Sequence, residues 1–378
     1  MNILLISHAL VTRSNHRLPE ELSRYPDVAL AVFAPDWWPE ESRAVRQEKT
    51  HDPRYRIHTS RTVYLRAPAP NLFLYREGLA RALREFQPDI LDVQEEPFSA
   101  AMGQVLALRR LFAPRARLLF YSFQNLPKRY PPPFSLIERR AYREAAAACA
   151  ATGEIAAVLR RKGFRGRIDI SPPGVDPHVF RPMPEARPAV RAALGIPPDA
   201  PVLGFLGRLT PEKGVQDIVA ALPALPPATR LLVVGGGARG PLAVQAAALG
   251  VGGRLVFAGA IDRLEAPRYL SAMDVLLVPS RTTPRWKEQF GRVIIEAALC
   301  GLPVIGSDSG AIPEVVGEAG VIVREGDVAG LAAAARLLLA QPALAAELAR
   351  RARARALERF TWERVAAGRY RLYQEVLA

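Results

Sequence analysis

Cysteine is scarce in this chain of 378 residues, with Cys149 and Cys300 only. Two isolated thiols offer no disulfide framework and no metal-ligand spacing, so they read as reduced, buried side chains. Histidine is equally sparse: His8, His16, His51, His58 and His178 form no short-range ligand pair. No Asp-x-Asp occurs anywhere. Nothing in the sequence therefore proposes a metal site, and no bound cofactor is expected. Long apolar runs are missing too, because none reaches the roughly 18 residues that span a bilayer. Met1 to Ser7 is too short and lacks the basic start of a signal peptide, and it reads as a first strand. No internal repeat or low-complexity tail is found, and the Ala/Arg tract Ala345–Arg359 has a helical surface pattern.

Lysine is the other rarity: five lysines stand among 51 basic residues, and the formal net charge is +14. From Ala101 to Ile170 there are 14 basic residues and 4 acidic ones. Such a surface favours an acidic partner, whether nucleic acid, anionic lipid or a phosphorylated acceptor. Nucleic acid is not expected, because no recognisable module or aromatic interleaving accompanies the charge.

What is abundant is alternation. Strand-like runs alternate with helix-like runs throughout, which predicts an α/β protein with parallel sheets. Strands are predicted at Ile3–Ser7, Ile90–Val93, Leu118–Ser122 and Ile168–Ser171. In the second half they fall at Val202–Gly207, Leu231–Gly235, Leu255–Ala258, Val275–Val278, Val304–Gly306 and Val321–Val323. Helices are predicted at Val328–Ala340, Leu344–Arg359 and Trp362–Leu377. The length suggests two domains. The Pro-rich stretch Ser171 to Pro188 is the linker, which gives domains of 1–171 and 172–361.

Two segments carry chemistry. The first is Glu288 to Glu296, in which two carboxylates flank Gln289-Phe290-Gly291-Arg292-Val293. Glu288 falls in a polar loop and Glu296 in an apolar run that reads as a buried helix. A buried carboxylate needs a partner. Either Glu296 is a structural residue paired with Arg292 or another nearby base, or the pair accepts bonds from hydroxyls of a sugar or ribose. In the second reading the amides of Phe290 and Gly291 lie at a helix N-terminus. The second segment follows the strand ending at Gly207. Thr210 is placed as an N-cap with Pro211 first in a helix, which puts Lys213 in a first turn, where it opposes the helix dipole. A bound anion shared with Arg208 resolves that conflict; a solvated lysine is the alternative. A phosphate site beside a sugar site describes a nucleotide sugar. The run Gly235 to Gly240 formally matches G-x-G-x-x-G, but no acidic residue ends a following strand, so the glycines read as a tight strand–helix turn near the nucleotide rather than as a dehydrogenase fingerprint.

Together, Gly207-Arg-Leu-Thr-Pro-Glu-Lys-Gly214, Pro279-Ser280, Glu288 to Glu296, Gly301-Leu-Pro-Val304 and Gly310-Ala-Ile-Pro-Glu314 resemble the family 4 (group 1) retaining glycosyltransferases. Ser171 to Phe180 resembles that family's entry into its second domain. The resemblance implies the glycosyltransferase-B architecture: two Rossmann-like domains facing each other across a cleft, with the last helix, 362–378, returning to the first. It implies that Arg208 and Lys213 hold the donor diphosphate, that Glu296 takes the ribose and Glu288 the donor sugar. Gly207, Gln289, Phe290, Gly291, Arg292 and Val293 are the other donor-binding positions it marks. No enzyme nucleophile and no metal are implied, since the acceptor attacks from the face the diphosphate leaves. In the first half, Gln124, Asn125 and Lys128 end or follow a strand and are candidates for contact with sugar or acceptor. Equally, Gln124 and Asn125 could serve only as turn and capping residues. Many relatives carry a histidine where Gln124 stands and a glycine pair where Thr12 to His16 stand. Glu95 and Glu96 end another strand; the pair reads as solvated rather than catalytic, with lining of the cleft as the alternative.

The expected activity is transfer of a sugar from a nucleoside-diphosphate sugar to an acceptor hydroxyl, with an anionic or lipid-linked acceptor. A nucleotide-sugar epimerase of the same architecture is the alternative. The expected location is the cytosol or the inner face of an anionic membrane.

Overall fold

A computed structural model describes residues 1–40, 43–47, 53–65 and 71–378. The chain divides into two compact units, Met1–Gly174 with Trp362–Ala378, and Val175–Thr361. The boundary thus falls three residues beyond the one read from the proline-rich stretch.

The first unit contains β1 (Asn2–Ile6), β2 (Ala29–Pro35), β3 (Trp37–Glu40), β4 (Arg43–Arg46), β5 (Tyr55–Ser60), β6 (Thr62–Tyr64), β7 (Phe73–Tyr75), β8 (Ile90–Val93), β9 (Arg117–Ser122), β10 (Ala145–Ala150) and β11 (Arg167–Ile170). Its helices are α1 (Arg17–Leu22), α2 (Leu79–Phe86), α3 (Ala100–Phe112), α4 (Phe134–Glu144) and α5 (Gly153–Arg161). Seven strands form one sheet in the order β11-β10-β9-β8-β1-β2-β5, parallel throughout. β3–β4 and β6–β7 are separate antiparallel pairs.

The second unit contains α6 (Arg187–Ala193), β12 (Val202–Leu206), α7 (Val215–Ala221), β13 (Arg230–Val234), α8 (Gly240–Ala248), β14 (Leu255–Gly259), α9 (Ala266–Ser271), β15 (Val275–Val278), α10 (Arg292–Leu299), β16 (Val304–Ser307), α11 (Ile312–Val316), β17 (Val321–Val323), α12 (Val328–Ala340) and α13 (Pro342–Arg359). Its parallel sheet has the order β14-β13-β12-β15-β16-β17. The last helix, α14 (Trp362–Leu377), belongs to the first unit.

Each strand named from the sequence is present within a residue or two; β2, β5 and β10 of the main sheet and the short pairs β3–β4 and β6–β7 are additional. The miss at β10 is instructive. Its sequence, Ala145-Ala-Ala-Ala-Cys-Ala150, is the best helix former available. Yet Ala147 to Ala150 are fully buried between β9 and β11, and small side chains let helices pack closely on that part of the sheet. Tertiary burial overrides propensity there. The core strands are apolar on both faces, as parallel sheets covered by helices require. Cys149 and Cys300 are free and buried, and burial pushes both thiols up to about 12. Among the described residues no single helix is long and apolar enough to cross a membrane.

Each sheet reverses strand order once. In the first unit the chain builds outward from β1 on one side, then from β8 on the other. In the second unit the reversal lies between β12 and β15. Crevices at the carboxyl ends of strands flanking such a reversal are where open α/β sheets bind ligands.

Candidate functional site

The second unit's reversal point is where the two sequence-marked segments meet. β12 ends at Leu206, and Gly207 and Arg208 leave the sheet, with Arg208 exposed. Thr210 is extended and precedes a one-turn 3-10 helix, Pro211–Lys213, to which its side chain gives no cap bond. Gly214 then adopts φ 73°, and α7 starts only at Val215. Lys213 is therefore not in the first turn of an α-helix, contrary to the sequence expectation, because a left-handed glycine separates the two. Gly214 must be glycine: a Cβ there would lie 1.8 Å from the carbonyl oxygen of Pro279, at the end of β15. That close approach brings Lys213 to the β15 loop. Its Nζ donates to Glu288 Oε2 at 2.7 Å and lies 4.7 Å from the centre of the Trp286 ring.

Glu288, in its polar loop, is only 7% exposed. Ser280 Oγ donates to the same carboxylate oxygen at 3.0 Å. The Glu288 carbonyl accepts from Ala311 N at 3.0 Å, and a Cβ on Gly310 would sit 2.1 Å from that carbonyl. The loop is thus clamped between the ends of β15 and β16. Phe290 follows with its ring in the core, edge-on to Phe360 at 5.8 Å, so only its backbone can face a ligand. Gly291, at φ 76°, is the N-cap of α10 and offers no side-chain acceptor to that helix end. Gln289, Arg292 and Val293 are half-buried on either side of the turn.

Glu296 lies in the second turn of α10 and is 5% exposed. Its base is not Arg292 but Arg263, whose Nε and Nη2 donate to Oε1 at 3.0 and 2.5 Å. Arg263 sits in the turn after β14, with its guanidinium over the Phe180 ring at 5.7 Å. Sequence reasoning missed it, since no local pattern links a turn residue to a helix residue 33 positions further on. The arrangement is thus a lysine, an exposed arginine, two buried carboxylates with cationic partners, and a glycine-capped helix end, all within one unit. It can match anionic oxygens to cations and hydroxyls to carboxylates.

In the first unit, Gln124 serves its own turn. Its backbone amide donates to Ser122 Oγ at 3.1 Å and its Oε1 accepts from Leu126 N at 3.2 Å. Its Nε2 donates to the Tyr130 hydroxyl at 3.2 Å. Asn125 is buried and donates to Glu154 Oε2, in the first turn of α5, at 3.2 Å. Lys128 is exposed. The solvated Glu95–Glu96 pair of the sequence reading does not exist, because each carboxylate is held. Glu95 is 3% exposed and binds His8, while Glu96 accepts from Ser122 Oγ at 2.7 Å and Phe123 N at 2.8 Å. Burial pushes the Glu96 carboxyl up to about 7 against those two bonds. Among the described residues no group of three or more His, Cys, Asp or Glu converges as a metal-ligand set.

Residues 11–179 match the family described as Glycosyltransferase Family 4, and residues 186–355 match Glycosyl transferases group 1. This chain belongs to the family 4, group 1 glycosyltransferases. Family relatives include a GDP-mannose-dependent alpha-(1-6)-phosphatidylinositol monomannoside mannosyltransferase of Mycolicibacterium smegmatis, 39% identical over 199 residues, or 50% of this chain and 52% of that protein. A D-inositol 3-phosphate glycosyltransferase of Mycobacterium avium is 38% identical over 205 residues, 52% of this chain and 46% of that one. The chain spans about half the length of the curated relatives it matches. The fold is shared with the sucrose-phosphate synthase of Thermosynechococcus elongatus (TM-score 0.75, 24% identity, covering 100% of this chain and 99% of that one). It is likewise shared with the Anabaena HepE protein in complex with UDP (TM-score 0.76, 20% identity, 99% of both chains).

Proposed function

We propose that the chain is a retaining glycosyltransferase that moves a sugar from a nucleoside-diphosphate sugar to an acceptor hydroxyl in glycoconjugate synthesis. The observation that carries this reading is the link of Lys213 to Glu288 beside the glycine-capped end of α10. A cation suited to a diphosphate and a carboxylate suited to sugar hydroxyls share one hydrogen bond. Lysine has three N–H donors, and the bond to Glu288 uses one. In this reading Lys213 and Arg208 hold the diphosphate and stabilise charge as it leaves, in place of a metal ion. Glu296 accepts from the ribose, with Arg263 fixing its carboxylate, and Glu288 accepts from the sugar. The acceptor attacks from the face the diphosphate leaves, and a leaving-group oxygen takes its proton. Catalysis then rests on positioning and on preorganised charge.

The M. smegmatis relative is named for GDP-mannose, and HepE has been solved with UDP and UDP-glucose. The test is therefore a thermal-shift screen of UDP-, GDP- and ADP-sugars, followed by nucleotide release with and without acceptor in excess EDTA. A ligand at about 100 times its Kd adds roughly 2.7 kcal/mol of stability. Isomerised sugar with no acceptor-dependent nucleotide release would replace transfer by epimerisation. Activity lost in EDTA and restored by Mg²⁺ or Mn²⁺ would overturn metal independence.

The acceptor in this reading is anionic or lipid-linked, and the enzyme works at the inner face of a membrane. The M. smegmatis relative's name includes a phosphatidylinositol lipid. Tyr130 stacks on Phe98 with ring centres 3.8 Å apart, leaving Lys128 and Arg129 exposed beside it. On α4, Leu136 is 57% exposed, and it lines with Arg139, Arg143 and Arg165 an open groove of about 820 Å³. Each basic residue near an anionic leaflet contributes about 1 kcal/mol. The expected result is co-sedimentation with anionic but not neutral vesicles, weakened by salt and by Lys128→Glu with Arg129→Glu. Indifference to anionic vesicles at low salt removes the membrane from the proposal and leaves the donor site untouched.

A further inference from the structure

The first unit's reversal point, between β1 and β8, carries a pair of side chains that the donor chemistry does not use. His8 follows β1 and Glu95 follows β8, and the two strands are hydrogen-bonded neighbours. Glu95 Oε1 accepts the His8 backbone amide at 2.7 Å. Both Glu95 oxygens face His8 Nδ1, at 2.9 and 2.7 Å. The ring is backed by Trp38, with centres 4.5 Å apart, and by the edge of Phe73 at 5.8 Å. The His8 amide thus fixes the carboxylate, the carboxylate fixes Nδ1, and aromatic packing fixes the ring. The His8 side chain remains 25% exposed. Among the described residues, no hydrogen bond engages Nε2.

The carboxylate fixes the tautomer. Nδ1 carries the proton that Glu95 accepts, so in the neutral ring Nε2 is an acceptor, and in the protonated ring it is a donor. Burial lowers the imidazole pKa, but the Glu95 charge and hydrogen bond more than offset it, and the net shift is upward. The neutral and protonated rings thus differ in whether Nε2 accepts or donates. A hydroxyl is the ligand group that suits both, since it donates to the neutral ring and accepts from the charged one. A phosphate or carboxylate oxygen suits only the charged ring.

We infer that the His8–Glu95 pair is a polyol-binding subsite, in which Nε2 holds a hydroxyl of the sugar or cyclitol that accepts the transferred group. This deepens the transfer reading and rests on it for the word acceptor. The binding itself is independent of any donor and is tested without one.

The full chain, labelled with ¹⁵N in its histidine rings, is titrated with methyl glycosides of glucose, galactose and mannose, with myo-inositol and with D-inositol 3-phosphate. Inorganic phosphate is the anion control. His8→Gln assigns the His8 signals. The expected result is a saturable shift of the His8 ring signals by at least one polyol. Glu95→Ala, which removes the acceptor and frees the ring, should weaken that binding tenfold or more while UDP and GDP affinities change less than twofold. A His8 signal that no polyol moves overturns the inference, and the wild-type titration gives that answer whether or not the variants fold. Equal responses to inositol 3-phosphate and to inorganic phosphate, with none to neutral polyols, also overturn it by showing an anion site. Failure here leaves nucleotide-sugar binding intact, so it is distinguishable from failure of the transfer reading.

Discussion

Both units place polar groups at the point where strand order reverses, yet they build those places differently. In the second unit, each half of the site is contiguous in sequence. Gly207 to Gly214 leave β12, Glu288 to Glu296 lead into α10, and glycines at 214 and 310 let the loops touch. In the first unit the groups arrive singly: His8 from β1, Glu95 and Glu96 from β8, Ser122 and Phe123 from β9. A diphosphate needs several donors converging on one small anion, which favours a compact loop. A single hydroxyl needs one well-held contact, which isolated strand ends can supply. The first unit also relies on the end of the chain. Arg369 of α14 pairs with Asp92 of β8 and donates to Ser171 Oγ at 2.9 Å, and both members of the ion pair are essentially unexposed. Tyr373 donates to the same Asp92 oxygen.

The harshest way to break the contrast is through that pair. Arg369→Met should destabilise the first unit by about 3–5 kcal/mol, because it leaves a buried carboxylate without its cation. Adding Asp92→Asn to the same chain should recover part of the loss. Denaturant unfolding checks both, and a single variant within about 0.5 kcal/mol of wild type would show that the pair is not structural. Next in size is the cation pair proposed to hold the donor. Arg208→Ala or Lys213→Ala should lower turnover by about 10²–10³-fold, as for the loss of one preorganised donor. Arg208 is exposed, so its variant should keep its melting temperature. Lys213→Ala strips a buried glutamate of its cation and should lose stability as well. Near-wild-type turnover in both, at saturating donor, would sink the diphosphate assignment.

These differences explain what the sequence revealed. The fold class, the parallel sheets and the two glycine-punctuated loops of the candidate site were legible because strand periodicity and such loops are local signals. That Lys213 meets Glu288 was not, since it depends on the packing of Gly214 against Pro279. Arg263 was invisible for the same reason, as was the pairing of His8 with a glutamate 87 residues away. The alanine strand β10 was lost because propensity pointed the other way. Glu95 and Glu96 were misread as solvated, because adjacent acids at a strand end resemble a turn unless the neighbouring strand's donors are known.

Glu96 offers a gentler probe of the first unit. Burial raises its carboxyl to about 7, so the fold favours the protonated form. That contribution is fully present below the unfolded value near 4.5. It declines as pH rises and is gone above about 7, where both states are ionised. Wild type should therefore lose up to about 3 kcal/mol relative to Glu96→Gln between pH 4.5 and 7.5, less what partial exposure screens. Urea unfolding at several pH values checks the sign. A wild-type-to-variant difference that is flat with pH contradicts a raised carboxyl.

The finest test separates two carboxylates within the proposed donor site. Glu296 binds Arg263 through Oε1, and in the proposed reading its remaining acceptor capacity serves the ribose. Glu296→Ala removes that acceptor and leaves Arg263 without its carboxylate, so a bare nucleoside diphosphate should bind about tenfold more weakly, or about 1.4 kcal/mol. Glu288 contacts Lys213 and Ser280, and its proposed ligand is the sugar, which the bare nucleotide lacks. Glu288→Ala releases Lys213 from its competitor, so the nucleotide should bind at least as tightly as to wild type while sugar transfer fails. The two variants are thus expected to move nucleotide affinity in different directions, which calorimetry with the nucleotide product alone can read. Equal losses would mean that the carboxylates act as one charge pool and that the division into ribose and sugar roles is wrong. A loss confined to Glu288→Ala would exchange the roles.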